Sequence, residues 1–205
     1  MLRVMPQNWE PKDWAEEQAR RIASQVSRLR EPNSTQWLSD QTAAAAGYRV
    51  SRSVIADLEN GRRRYVTTAE LCALSWALKV PPIRLLYPDL PDGQVEIIPG
   101  KQVPSIEAAM WFSGEFPYVN KAADNLIQDL AEVKEGVRLV SLARERVTLE
   151  GQISTWSSVV AHARKSKDRA LADIAAERVM ADRKRIEAIS AELQLIAGAV
   201  VVGGD

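Results

Sequence analysis

Two segments decide how the first half of this chain reads: Ala43-Ala44-Ala45-Ala46-Gly47, and Ser51-Arg52-Ser53-Val54-Ile55-Ala56-Asp57-Leu58-Glu59-Asn60-Gly61. The alanine run predicts a short helix from about Ser39, a good N-cap, to Ala46, with Gly47 permitting the left-handed turn that ends it. Ser51 caps a second short helix that stops at Gly61. Ala43, Gly47, Ile55 and Leu58 fall where two such helices would pack. Short helices joined by a glycine turn form either an ordinary helical hairpin or a helix-turn-helix. In the latter, the second helix offers its N-terminal side chains to a DNA major groove about 12 Å wide.

Helical signals extend on both sides of this pair. Upstream, Trp14, Ile22, Val26 and Leu29 recur at spacings near three and four, an amphipathic helix over about Pro11–Arg30 that Glu31-Pro32-Asn33 ends. Downstream, Thr67-Thr68-Ala69-Glu70 is a capping box opening a helix through Leu78, with Leu71, Leu74 and Leu78 on one face. Pro82 suits the first turn of a fifth helix, Pro82-Ile83-Arg84-Leu85-Leu86-Tyr87. Trp14, Trp37, Cys72 and Trp76 are expected in the core of this five-helix domain, residues 1–90.

Seven of the ten prolines fall between residues 81 and 117, so a connector over 91–117 should hold only short elements. It contains one strand, Gln94-Val95-Glu96-Ile97-Ile98, which must pair with a second copy or with the first domain, and a short helix from Ser105 to Phe112. Proline is absent from Tyr118 onward, and residues 118–205 read as a helical coiled-coil arm. Leu126, Leu130, Val133, Val137, Val140, Arg144 and Val147 are spaced as a heptad seam. Gly151 interrupts it, and Leu149, Ile153, Trp156, Val160 and Ala163 resume in another register. A third set, Ile186, Ile189, Leu193, Ile196 and Val200, follows, and the final residues are expected to fray. One helix over 152–197 would span about 69 Å. Seams of this kind pair between chains or fold back within one. The class is therefore all-α, with a strand-containing connector.

The run Ser51–Arg62, followed by Leu71-Cys72-Ala73-Leu74-Ser75-Trp76-Ala77-Leu78-Lys79-Val80-Pro81-Pro82, resembles the lambda-repressor-like (Cro/repressor, XRE) helix-turn-helix family. In that family the recognition helix ends in a Leu-Glu-Asn/Arg-Gly segment, and a leucine-rich helix ending in Ala-Leu-x-Val follows. Residues 35–87 carry the pattern, although the stretch between Gly47 and Ile55 is longer than the family's usual turn. Leu86–Gly93 is similar to such proteins from actinobacteria and their phages, which implies a phage or prophage immunity repressor. The resemblance implies base reading by Arg52, Ser53 and Asp57. Arg52 suits guanine O6 and N7, and Asp57 can accept from a cytosine amine or instead pair with Arg52. Ser39, Arg49, Ser51, Asn60, Arg62, Arg63 and Arg64 are expected on the DNA backbone, though Arg49 can also reach bases.

Charge agrees with a polyanion surface at one end. Lys+Arg and Asp+Glu are 27 each. Yet residues 28–66 hold seven arginines against four acids, and residues 85–135 hold nine acids against three lysines. One cysteine and one histidine, His162, leave no disulfide or Cys/His metal cluster. The carboxylates sit in no glycine-rich or α/β setting that points to catalysis. The expectation is a non-enzymatic cytoplasmic protein, without cofactor, metal or membrane span, that binds double-stranded operator DNA as a homodimer through its C-terminal helices. An antitoxin whose C-terminal helices grip a protein partner is a second reading. A structural or adaptor protein with a vestigial helix-turn-helix is a third.

Overall fold

In the computed structural model, which describes residues 9–115 and 126–202, helix starts are set by side chains that accept backbone N–H groups. Asp13 accepts from Glu16 N and opens α1 (Trp14–Arg30). Ser34 accepts from Trp37 N and opens α2 (Thr35–Ala46). Ser51 opens α3 (Arg52–Glu59). The Thr67/Glu70 capping box opens α4 (Thr68–Ala77), and α5 (Ile83–Leu86) follows Pro82. The N-cap of α2 thus lies at Ser34 rather than Ser39. The longer helix carries Leu38 into the core with no exposed surface, and its N–H bonds to Ser34 O.

Ile22 and Val26 of α1, Leu38 of α2, Ile55 and Leu58 of α3, Leu74 of α4 and Leu85 of α5 are all buried. They supply the apolar burial that stabilises helices too short to persist alone. Arg30 and Glu59 tie the C-terminal ends of α1 and α3 together through two hydrogen bonds of 2.9 and 2.8 Å. Two residues expected in the core are outside it. Cys72 is exposed and Trp76 is 67% exposed, because Ala73, Leu74 and Ala77 are the buried apolar residues of α4. Trp14 and Trp37 are half-buried.

The strand finds its partner in the next segment, not in a second copy. β1 (Gln94–Ile98) pairs antiparallel with β2 (Lys101–Pro104), Val95 opposite Val103, with an irregularity between Glu96 and Ile98. Val95, Ile97 and Val103 are buried, and Trp14 Nε1 donates to Glu96 O at 3.1 Å. This hairpin belongs with the five helices. The chain divides into two compact units, Met1–Met110 and Trp111–Asp205, with α6 (Ser105–Phe112) at the division. The molecule is mostly helical, with one small two-stranded sheet.

In the second unit, α7 (Leu126–Lys165) runs unbroken through Gly151, and α8 (Arg169–Gln194) packs back along it. A single helix over 152–197 is therefore replaced by a hairpin. Lys167 turns the chain with φ 60°, and the Asp168 side chain caps α8 by accepting from Leu171 N. Arg138–Glu192 and Arg185–Glu145 ion pairs bridge the antiparallel helices. Leu142, Ile189 and Leu193 form the buried cluster, with Leu139, Leu149 and Ile196 packed on it.

The α7 seam toward α8 thus joins the second register, Leu149 to Ala163, with Leu139 and Leu142 upstream. At about 100° per residue, the first register (Val133, Val137, Val140, Arg144, Val147) lies on the opposite face. Val147 there is 66% exposed, while Gly114 lies against Val140 and Glu115 pairs with Arg144. The start of the arm at Tyr118, the final Gly-Gly-Asp and the side chain of Leu126 fall outside the described residues. Among the described residues no helix is long and apolar enough to cross a membrane.

Candidate nucleic-acid interface

The turn between α2 and α3 is held from inside. Gly47 adopts φ 65°, a conformation costly for residues with a Cβ. Three residues later the chain returns to the core, where Val50 is buried and its N–H donates to Thr42 Oγ1 at 2.9 Å. Thr42, fully buried, donates in turn to Ser39 O at 2.8 Å. The long stretch after Gly47 is therefore pinned at its far end, leaving Tyr48 and Arg49 exposed between two anchors. Sequence reading missed Thr42, since a threonine inside an alanine-rich helix carries no pattern of its own.

From Ser51 the chain enters α3. The Ser51 hydroxyl accepts from Val54 N at 3.3 Å and lies 2.9 Å from the Ser53 hydroxyl. Ile55 and Leu58 point inward, so Arg52 and Ser53 lie exposed at the N-terminal end of the helix. Among the described residues Arg52 has no hydrogen-bond or ion-pair partner. Asp57, one turn further on, takes Arg62 Nη1 at 3.4 Å rather than Arg52. Its carboxylate is thus half-screened by a neighbour that is itself 76% exposed. Asn60 is the exposed C-cap of α3.

The three consecutive arginines do not act alike. Arg62 faces solvent. Arg63 forks onto Glu70 at 2.6 and 3.0 Å and lies over the Tyr65 ring, 4.2 Å from its centroid. Arg64 bonds Glu16 at 2.7 Å and lies over Trp9. Arg63 and Arg64 therefore cross-link elements of the fold, and their guanidinium groups are not displayed for phosphate. Ser39 is likewise withdrawn. It is 1% exposed in the middle of α2, so its hydroxyl cannot reach a DNA backbone.

Arg49 is exposed but donates to Asp40 at 2.9 Å. That bond, with a second from Gln36, holds the Asp40 carboxyl below its ordinary range. Glu70 is also displaced downward: burial opposes its ionisation, but bonds from Thr67 and Arg63 outweigh it. The face presented by α3 and its flanking turns therefore combines Tyr48, Arg49, Arg52, Ser53 and Arg62 with two partly neutralised acids, Asp40 and Asp57. Its charged donors are Arg49, Arg52 and Arg62, its neutral ones the hydroxyls of Tyr48 and Ser53, and all belong to α3 or the residues on either side of it.

No family model matches this chain, and the searches of curated proteins and of solved structures find nothing similar to it.

Proposed function

We propose that this chain is a sequence-specific binder of double-stranded DNA, with α2 and α3 as a lambda-repressor-like helix-turn-helix and α3 as its recognition helix. The observation that carries the reading is Arg52: an exposed guanidinium, without a partner among the described residues, at the start of a short helix whose other face is locked into a core. A helix entering the major groove uses its N-terminal side chains, and arginine there bonds bidentately to guanine. Ser53 and Asp57 complete the base-reading set. Ser51, Asn60, Arg49 and Arg62 serve the backbone, and Arg63, Arg64 and Ser39 are dropped from it for the burial and pairing described above.

The protein would act in the cytoplasm as a transcriptional repressor, in the manner of a phage immunity repressor. It would occupy an operator without cofactor or chemical step, as a homodimer joined through its C-terminal helices. The outward-facing register of α7 supports a partner for the arm, because Val147 lies exposed opposite the seam that α8 already covers. Selection of DNA fragments by the purified full-length protein, followed by sequencing, tests the proposal. Enrichment of a common motif is expected. Retention of random sequence alone, or co-purification of a second protein in place of DNA binding, would reject it.

A further inference from the structure

Among the described residues, Arg21 is a half-buried charge with no ion-pair partner. It projects from α1 into a cleft of about 520 Å³ between that helix, Pro88-Asp89 and the β1–β2 hairpin. One N–H donates to Leu86 O at 3.2 Å, and among the described residues no carboxylate lies within ion-pair distance. Its neighbour Arg20 differs, since Glu17 takes that guanidinium in two bonds of 2.8 and 2.7 Å. Burial pushes the Arg21 guanidinium below the ordinary arginine value, against the longer-range pull of Glu17, Tyr87 and Asp89. Half-buried arginines are normally matched by an anion, because removing an unpaired charge from water is costly.

The other walls carry the complementary chemistry. Ser24, Gln94 and Gln102 are neutral hydrogen-bonding groups, whereas Asp89 and Glu96 are acids contributed by the segment facing α1. On the helix side Glu17 also lines the cleft but is held by Arg20, so Arg21 supplies the net positive charge there, and Asp89 and Glu96 make the opposite side of the cleft acidic. Its acids argue against a simple anion, and its arginine argues against a simple cation.

We infer that this cleft binds a small zwitterion of the α-amino-acid class, with its carboxylate on Arg21 and its ammonium toward Asp89 and Glu96. A guanidinium presents a planar fork of donors that fits a carboxylate, and a concave site with a few convergent polar groups is the usual form of a small-molecule pocket. The inference does not depend on DNA binding.

Calorimetric titration of the full-length protein with each of the twenty standard L-amino acids, with inorganic phosphate and with acetate tests it. At least one amino acid should bind, and phosphate and acetate should bind far more weakly. Arg21→Gln should weaken the amino acid roughly 10- to 100-fold, with circular dichroism confirming an unchanged helical content. Should Arg21→Gln fail to fold, Asp89→Asn at the exposed wall carries the test. It should weaken the amino acid while leaving the corresponding amine-free carboxylic acid unaffected. Absence of binding by every amino acid, phosphate binding as tight as any amino acid, or unchanged affinity in the variant that folds would each overturn the assignment.

Discussion

Four arginines close in sequence end in different physical situations, and their neighbours decide which. Among the described residues Arg52 has no partner and Arg62 takes Asp57 at 3.4 Å, whereas Arg63 and Arg64 are engaged by Glu70 and Glu16. Arg52→Ala is expected to lose roughly 1–3 kcal/mol on a selected site and to relax discrimination at one base pair. Parallel titration on random DNA checks this, since an equal loss there would make Arg52 a phosphate ligand. Arg62→Ala should weaken binding to all sequences and reduce the salt slope by about 0.9 for one lost phosphate contact. Arg63→Ala should instead cost about 1–3 kcal/mol of folding stability, because it leaves the largely buried Glu70 carboxylate with the Thr67 bond but no counterion; denaturant melts separate the two effects.

Glu70 also sets a pH dependence. Its folded-state pKa lies below the ordinary glutamate value, so its contribution is fully present above that ordinary value. It is lost as pH falls through the folded pKa. Glu16, Asp40 and Glu145 are displaced in the same direction, so the wild type alone does not isolate Glu70. Thermal melts at neutral and acid pH should show a smaller acid-side loss for Glu70→Gln than for the wild type.

At the scale of elements, two glycines end helices with nearly the same backbone and different surroundings. Gly47 and Gly61 have φ of 65° and 67°. A Cβ on Gly47 meets nothing within 4 Å, but one on Gly61 would lie 2.0 Å from the Trp9 indole. Gly47→Ala should therefore cost about 1–2 kcal/mol, the backbone penalty alone. Gly61→Ala should cost more, since it also displaces the ring over which Arg64 lies. Equal destabilisation in chemical denaturation would mean that Trp9 yields freely. The caps follow the same logic of local demand: Ser34, Ser51 and Thr67 each satisfy a backbone donor that a helix start leaves without an intrahelical acceptor.

At the scale of the whole chain, the arm carries two apolar registers on opposite faces of α7, and α8 uses one of them. A single recognition helix reads only a few base pairs, and selective binding normally links two half-sites. Sedimentation of the intact protein is accordingly expected to give a dimer. A fragment ending at residue 117 should be a monomer that binds a full operator much more weakly, because the linked second site is gone. A monomeric intact protein whose operator affinity survives truncation would remove the arm from the DNA-binding proposal.

Much of this was legible in residue order because its causes are local. Capping at Ser51 and Thr67, the left-handed turn at Gly47, the inward face of α3 at Ile55 and Leu58, and the β1 strand after Asp92-Gly93 all depend on residues within one or two turns of each other. Heptad spacing likewise exposed both registers of α7. What partnered each surface was a tertiary decision. Pairing of Arg63 with Glu70 and of Arg64 with Glu16, the burial of Ser39, and the exposure of Trp76 follow from which elements meet, and spacing along the chain does not encode that. The same holds for the break at Lys167: an apolar seam states that a helix needs a partner, and only the folded chain supplies α8 as that partner.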